Sequence, residues 1–152
     1  MKTHKPQILL VEDNPADANL VEEAIAEAQL ECGLSIVRDG LAALEFIDRL
    51  DADPDHPRPD IVLLDLNLPK IGGEEVLRRV RANAWCGTAK VLIVSSSDAP
   101  ADRERAMLLG ASDYFRKPSN LDQFMELGPR IRAVLEGEPP NPASEQPGGA
   151  PR

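Results

Sequence analysis

Ile61-Val62-Leu63-Leu64-Asp65-Leu66-Asn67-Leu68-Pro69 (61–69) is the stretch on which the reading of the fold turns. Four consecutive apolar residues stop abruptly at a carboxylate. A run this short, with no polar alternation, suits a β-strand buried on both faces, as in a parallel sheet covered by helices. The pattern recurs along the chain. Gln7-Ile8-Leu9-Leu10-Val11 ends at Glu12-Asp13, Val91-Leu92-Ile93-Val94 ends at Ser95-Ser96-Ser97, and Tyr114-Phe115-Arg116 ends at Lys117-Pro118. Leu34-Ser35-Ile36-Val37 is a further short strand.

The segments between these runs read as helices. Leu20, Val21, Ala24, Ile25 and Ala28 recur at helical spacing, with Glu22, Glu23 and Glu27 opposite. Asp39-Gly40 opens a helix that buries Leu41, Leu44, Ile47 and Leu50, and Gly72-Gly73 precedes one carrying Val76, Leu77 and Val80. Pro100 and Gly110 bracket a fourth. Asn120, with Gln123 three residues on, forms a capping box for the last. DADPDHPRPD (51–60) is a loop, longer than most connections in compact domains. Strand–helix alternation without consecutive strands predicts a doubly wound, three-layer α/β fold, because each parallel pair needs a crossover.

Length and charge narrow the function classes. The chain has 152 residues, enough for one domain with its own core, and its 17 Lys+Arg against 26 Asp+Glu give a net charge of −9. That acidity disfavours nucleic-acid binding, which rewards clustered cations, and disfavours an anionic membrane surface. No apolar stretch is long enough for a transmembrane helix, and the first seven residues are no signal peptide. Cys32 and Cys86 lie outside any C-x-x-C pattern, which predicts reduced thiols in a cytoplasmic protein. Prolines 139, 140, 142, 147 and 151 crowd the C-terminus. The expected organisation is a flexible N-terminus (1–6), a folded domain (7–136) and a disordered Pro/Gly-rich tail (137–152).

In an open α/β sheet, ligands bind beyond the carboxyl ends of the strands. Those ends here carry Glu12, Asp13, Asp65, Ser95 and Lys117. Converging carboxylates repel one another, and a bound divalent cation relieves the repulsion. Oxygen ligands with no nearby His or Cys point to Mg²⁺ or Mn²⁺. Lys117 and Ser95 add a positive charge and a hydroxyl suited to phosphoryl oxygens. The set predicts a metal-assisted phosphoryl site with a carboxylate nucleophile. Asp65 is the best nucleophile, because the third strand is central in a 2-1-3-4-5 order. Glu12 and Asp13 would hold the metal, with the Asn67 backbone carbonyl completing its coordination. Glu12, Asp13 and Asp65 against Lys117 leave two negative charges, which one Mg²⁺ neutralises.

VEDN (11–14), LLDLNLP (63–69), the Ser95-Ser96 pair and GASDYFRKP (110–118), at this spacing, resemble the receiver domains of two-component response regulators. The resemblance covers residues 7–136 and implies a flavodoxin-like (βα)5 fold. It implies that Asp65 accepts a phosphoryl group from a phosphohistidine on a sensor histidine kinase. Asp13, Asp65 and the Asn67 carbonyl would bind Mg²⁺, with Glu12 reaching it through water. Ser95, Lys117 and the Ser96 N–H would contact the phosphoryl group, and Tyr114 would be the switch aromatic that follows Ser95. A cis peptide bond would precede Pro118. Such a protein catalyses its own phosphorylation and dephosphorylation without being a turnover enzyme, and many pair through the fourth helix, fifth strand and fifth helix.

VEDNPADANLVEEA (11–24), RPDIVLLDLNLPKIGGEEVLRRVR (58–81) and KPSNLDQF (117–124) also resemble the single-domain response regulators that serve bacterial and cyanobacterial phytochromes. A phytochrome-type kinase is the implied partner. With no effector module read after residue 136, output is expected through phosphorylation-dependent protein contacts or onward phosphorelay.

Two departures from the family pattern stand out. The acid pair is Glu-Asp where many receivers have Asp-Asp, and Gly128-Pro129 is expected to kink or break the last helix. An aspartyl-phosphate phosphatase is disfavoured, because Asn67 stands where its general acid would be; a scaffold receiver is disfavoured by Asp65 and Lys117. Ser97 and Asp98 read as turn or cap residues, and neither His4 nor His56 as a catalytic base. Trp85 is expected to cover the loop after the third helix, and Arg78, Arg79 and Arg81 to form a solvated charged face.

Overall fold

Ile61, Val62, Leu63 and Leu64 are all inaccessible to solvent, because they form the central strand of a sheet covered on both sides. The computed structural model describes residues 5–139. Five strands, β1 (Gln7–Val11), β2 (Gly33–Val37), β3 (Ile61–Leu64), β4 (Lys90–Ser95) and β5 (Asp113–Arg116), alternate with helices α1 (Pro15–Glu27), α2 (Gly40–Ala52), α3 (Gly73–Ala82), α4 (Pro100–Leu108), α5 (Leu121–Phe124) and α6 (Leu127–Leu135). All strand pairs are parallel, and the order is β2-β1-β3-β4-β5. This is the predicted doubly wound, flavodoxin-like arrangement. The expected tail lies outside the described residues from position 140 onward, as do residues 1–4 and the His4 reading.

Side chains alternate across the pleat and so divide into two cores. Leu9, Val11, Val62, Leu64, Val91 and Ile93 pack against α2, α3 and α4 through Ile47, Val76, Leu77, Val80 and Ala106. Ile8, Leu10, Leu63, Leu92 and Val94 pack on the other face against Val21, Ala24 and Ile25 of α1 and Phe124, Leu127 and Ile131 of α5 and α6. Burying each large side chain contributes about 1.5–3 kcal/mol, so the site at the strand ends rests on a stiff base.

The last helix is interrupted, as its proline implies. After α5 the chain turns through Met125 and Glu126, and α6 begins at Leu127. Pro129 falls in the first turn of α6, where an N–H has no helical partner to lose; in one unbroken helix its ring would meet the Met125 carbonyl. Gly128 lets this turn approach α1, since a Cβ there would lie 2.5 Å from the Ala24 carbonyl oxygen.

Three expectations are corrected. The Lys117–Pro118 bond is trans: no peptide bond among the described residues is cis. Trans is the intrinsic preference even before proline, by about 0.5–1 kcal/mol, and no hydrogen-bonded turn at 117–118 demands otherwise. Arg81 is no solvated charge. Its guanidinium donates to the carbonyls of Gly110 (3.0 and 2.6 Å), Gly87 (3.1 Å) and Ala89 (2.5 Å), tying the α3–β4 connection to the α4–β5 connection. Leu41, expected to be buried by α2, is 49% exposed.

Other side chains match their readings. Arg79 and Arg78 pair on the surface with Asp48 and Glu75. Ser97 behaves as a cap residue, its hydroxyl bonding Asp102 at 2.5 Å and accepting from the Ala99 N–H at 3.3 Å. Cys86 is buried and Cys32 half-buried, and both are free thiols.

Candidate functional site

The strands deliver their terminal residues to one edge by extending their ladders a residue further. The Glu12 N–H donates to the Val37 carbonyl, the Asp65 N–H to Val11 and the Lys117 N–H to Ser95. Glu12, Asp65 and Lys117 are therefore fixed at the backbone before their side chains are considered. Asn14 caps α1 by accepting from the Asp17 N–H at 3.1 Å. The N-terminus of α3 presses against the end of β3: a Cβ on Gly73 would sit 2.5 Å from the Asp65 carbonyl oxygen, so only glycine fits.

At the centre lies Asp65, 6% exposed. One of its oxygens accepts from the Asn67 N–H at 3.0 Å. The other lies 3.2 Å from the Lys117 ammonium. Glu12 is 1% exposed, with one oxygen 2.9 Å from Lys117 and the other accepting from the Asn14 N–H at 3.2 Å. Asp13 is exposed at the mouth. Carboxylate oxygens of Glu12, Asp13 and Asp65 all lie within 4.8 Å of one another, two buried and one open to solvent. An all-oxygen set of this size suits a hard divalent cation that keeps part of its water shell.

Electrostatics follow from burial and from the single lysine. Burial pushes the Glu12 carboxyl up to about 7; the hydrogen bond and charge of Lys117 pull it back, while Asp65 adds to the rise. Burial alone would lower the Lys117 ammonium, but its bonds to Asp17 and Glu12 and the charge of Asp65 win, and it is held above its ordinary value.

Ser95 is fully buried, its hydroxyl accepting from the Ser97 N–H at 3.2 Å, and Ser96 is exposed beside the site. Tyr114 is buried too, its hydroxyl donating to the Ser97 carbonyl at 3.1 Å. Burial raises its phenol, with hydrogen bonding to Ser95 and Ser97 opposing. The aromatic ring is thus turned inward. Asn67 is exposed on the loop after β3. Glu12, Asp13, Asp65, Ser95, Ser96 and Lys117 thus lie at the carboxyl ends of β1, β3, β4 and β5, with Asn67 on the loop after β3.

Asp17 is the residue that sequence reasoning missed. Its carboxylate lies 2.8 Å from the Lys117 ammonium, across 100 positions of sequence. Read alone, an acid in the first turn of a helix answers the helix dipole. The available signal was its place in the first turn of the helix that directly follows the Glu12-Asp13 pair, which brings it to the same edge of the sheet.

An open parallel α/β sheet with acids, a buried serine and one lysine at its carboxyl edge defines a flavodoxin-like protein with a cation- and phosphoryl-compatible site. The model of the response regulator receiver domain matches residues 8–127, and the chain belongs to that family. Response regulator Rcp1 of Synechocystis sp. is 37% identical over 120 residues, covering 79% of this chain and 82% of that protein. Among solved structures, the phosphorylated cyanobacterial phytochrome response regulator RcpA matches with a TM-score of 0.78 at 32% identity, over 88% of this chain and 96% of that one. The Mn²⁺-bound form of Rcp1 matches at 0.76 and 35% identity, over 87% and 96%.

Proposed function

We propose that this receiver accepts a phosphoryl group on Asp65 from a phosphohistidine of a sensor histidine kinase, with a divalent cation bound. The observation that carries the reading is the buried Asp65 carboxylate, held between the Asn67 N–H and the Lys117 ammonium beside two further acids. An Asp65 oxygen attacks phosphorus, the P–N bond breaks, and its electron pair leaves on the imidazole, which takes a proton; Asp65 becomes an acyl phosphate. Asp13, Asp65 and the Asn67 carbonyl would hold Mg²⁺ or Mn²⁺, with Glu12 acting through water. The cation's contribution when bound is to neutralise charge on the phosphoryl oxygens. Lys117 supplies a second positive charge, and Ser95 with the Ser96 N–H supplies donors to the same oxygens. Later attack by water would return Asp65, so the protein catalyses its own phosphorylation and dephosphorylation without turning over a free substrate.

Likeness to RcpA and Rcp1 supports a phytochrome-type kinase as the phosphoryl source. Output then runs through phosphorylation-dependent contacts or onward relay. Tyr114, bonded inward behind Ser95, is the switch aromatic in this reading. The face of α4, β5 and the split last helix, α5 with α6, is the proposed homodimer contact, supported by Leu108 at 87% and Leu121 at 55% exposure. Light scattering with and without acetyl phosphate should show a larger species on phosphorylation; an unchanged monomer contradicts the dimer. For the central reading, phosphate uptake from acetyl phosphate and Mg²⁺ should disappear in Asp65→Asn. Uptake at the parent's rate would remove the nucleophile assignment.

A further inference from the structure

We propose that Asp17 is a positioning residue that holds the Lys117 ammonium over the phosphoryl site throughout the reaction cycle. The inference rests on the phosphoacceptor reading and adds a residue to it. An ammonium has three N–H donors, and here each has a carboxylate: Asp17 at 2.8 Å, Glu12 at 2.9 Å and Asp65 at 3.2 Å. Two of those three oxygens are needed elsewhere once cation and phosphoryl group arrive, because Glu12 faces the cation and Asp65 becomes the acyl phosphate. Asp17 alone has no other duty. It stands on the first turn of α1, its backbone N–H fixed by the Asn14 cap, so its carboxylate stays in place while the other two change partners.

Burial makes this anchor necessary. Lys117 is 9% exposed and Asp17 27%. Water reaches Asp17 but scarcely reaches the amine, which without Asp17 would lose its one constant partner. The flexible four-carbon stem of lysine would then leave the amine poorly placed for the phosphoryl oxygens. A bystander carboxylate has the opposite effect, since removing a negative charge near an anion site favours the anion. The sign of the effect separates the two roles.

Calorimetric titration of the full chain with trifluoroberyllate, a phosphoryl mimic, at saturating Mg²⁺ tests this. Asp17→Asn should lower affinity about tenfold, the size of one charge-assisted hydrogen bond to a partly solvated partner. Asp17→Glu should recover most of the loss. In a Lys117→Ala background Asp17→Asn should cause no further loss, because the two act as a unit. Unchanged or tighter binding in Asp17→Asn overturns the proposal, as does an equal loss in the Lys117→Ala background. Asp17→Ser carries the same expectations should the amide variant fail to fold. If the wild-type protein takes up no trifluoroberyllate with Mg²⁺, the phosphoacceptor reading itself falls, an outcome distinct from failure of the Asp17 role.

Discussion

Glu12 shows how burial sets the chemistry of one residue. Burial raises its carboxyl to about 7, against an ordinary value of 4.5. Between those two values the folded protein keeps a proton that the unfolded chain has released. Stability from this group is therefore lost as pH rises from about 4.5 to 7, and is level above that. Thermal melts without divalent cation should fall over this window, and Glu12→Gln should flatten the fall. Cation binding needs the charged form, so Mg²⁺ affinity should rise by up to tenfold per pH unit below 7 and level off above it. Glu12, Asp13, Asp65, Ser95 and Lys117 were legible because each stands at or just past the end of a strand-like run. Asp17 was not, because its partner comes from the far end of the chain. Counting it, four carboxylates gather at the site with one lysine, so a single Mg²⁺ leaves one negative charge where the sequence arithmetic reached neutrality.

The elements carry the site through close backbone contacts. Gly73→Ala would put a methyl group against the Asp65 carbonyl and the Leu66 Cα, at 2.5 and 2.7 Å. The N-terminus of α3 must then retreat from β3, at a cost of about 1–3 kcal/mol. Denaturant unfolding should report that loss, and the shift of the Asp65 backbone should slow phosphate uptake as well. A variant with parental stability contradicts the packing argument. At this scale much was legible. Buried strands announce themselves as apolar runs, and Pro129 signalled a kink or break in the last helix, of which the structure shows the break. The role of Arg81 was hidden because its carbonyl acceptors belong to two connections that only the fold brings together. The bond before Pro118 was read from family likeness, and local backbone preference decides it instead.

Charge is unevenly spread over the whole molecule. Residues 12–60 hold 14 acids against three bases, while residues 61–136 hold 10 acids and 11 bases. The acidic part carries α1, α2 and three of the four carboxylates of the site, Glu12, Asp13 and Asp17, and the balanced part carries Asp65, Ser95, Lys117 and Tyr114. Phosphorylation adds about −1.5 to −2 at the junction of the two. A cation is thus required at the point where new charge is introduced, which makes the account depend on where the phosphoryl group goes. Borohydride reduction of the phosphorylated protein followed by peptide mapping reads that position, because an aspartyl phosphate is reduced to homoserine. After treatment with acetyl phosphate and Mg²⁺, homoserine should be found at position 65 and should be absent when the cation is chelated. Homoserine at position 13 or 17, or its formation without a divalent cation, would contradict the account.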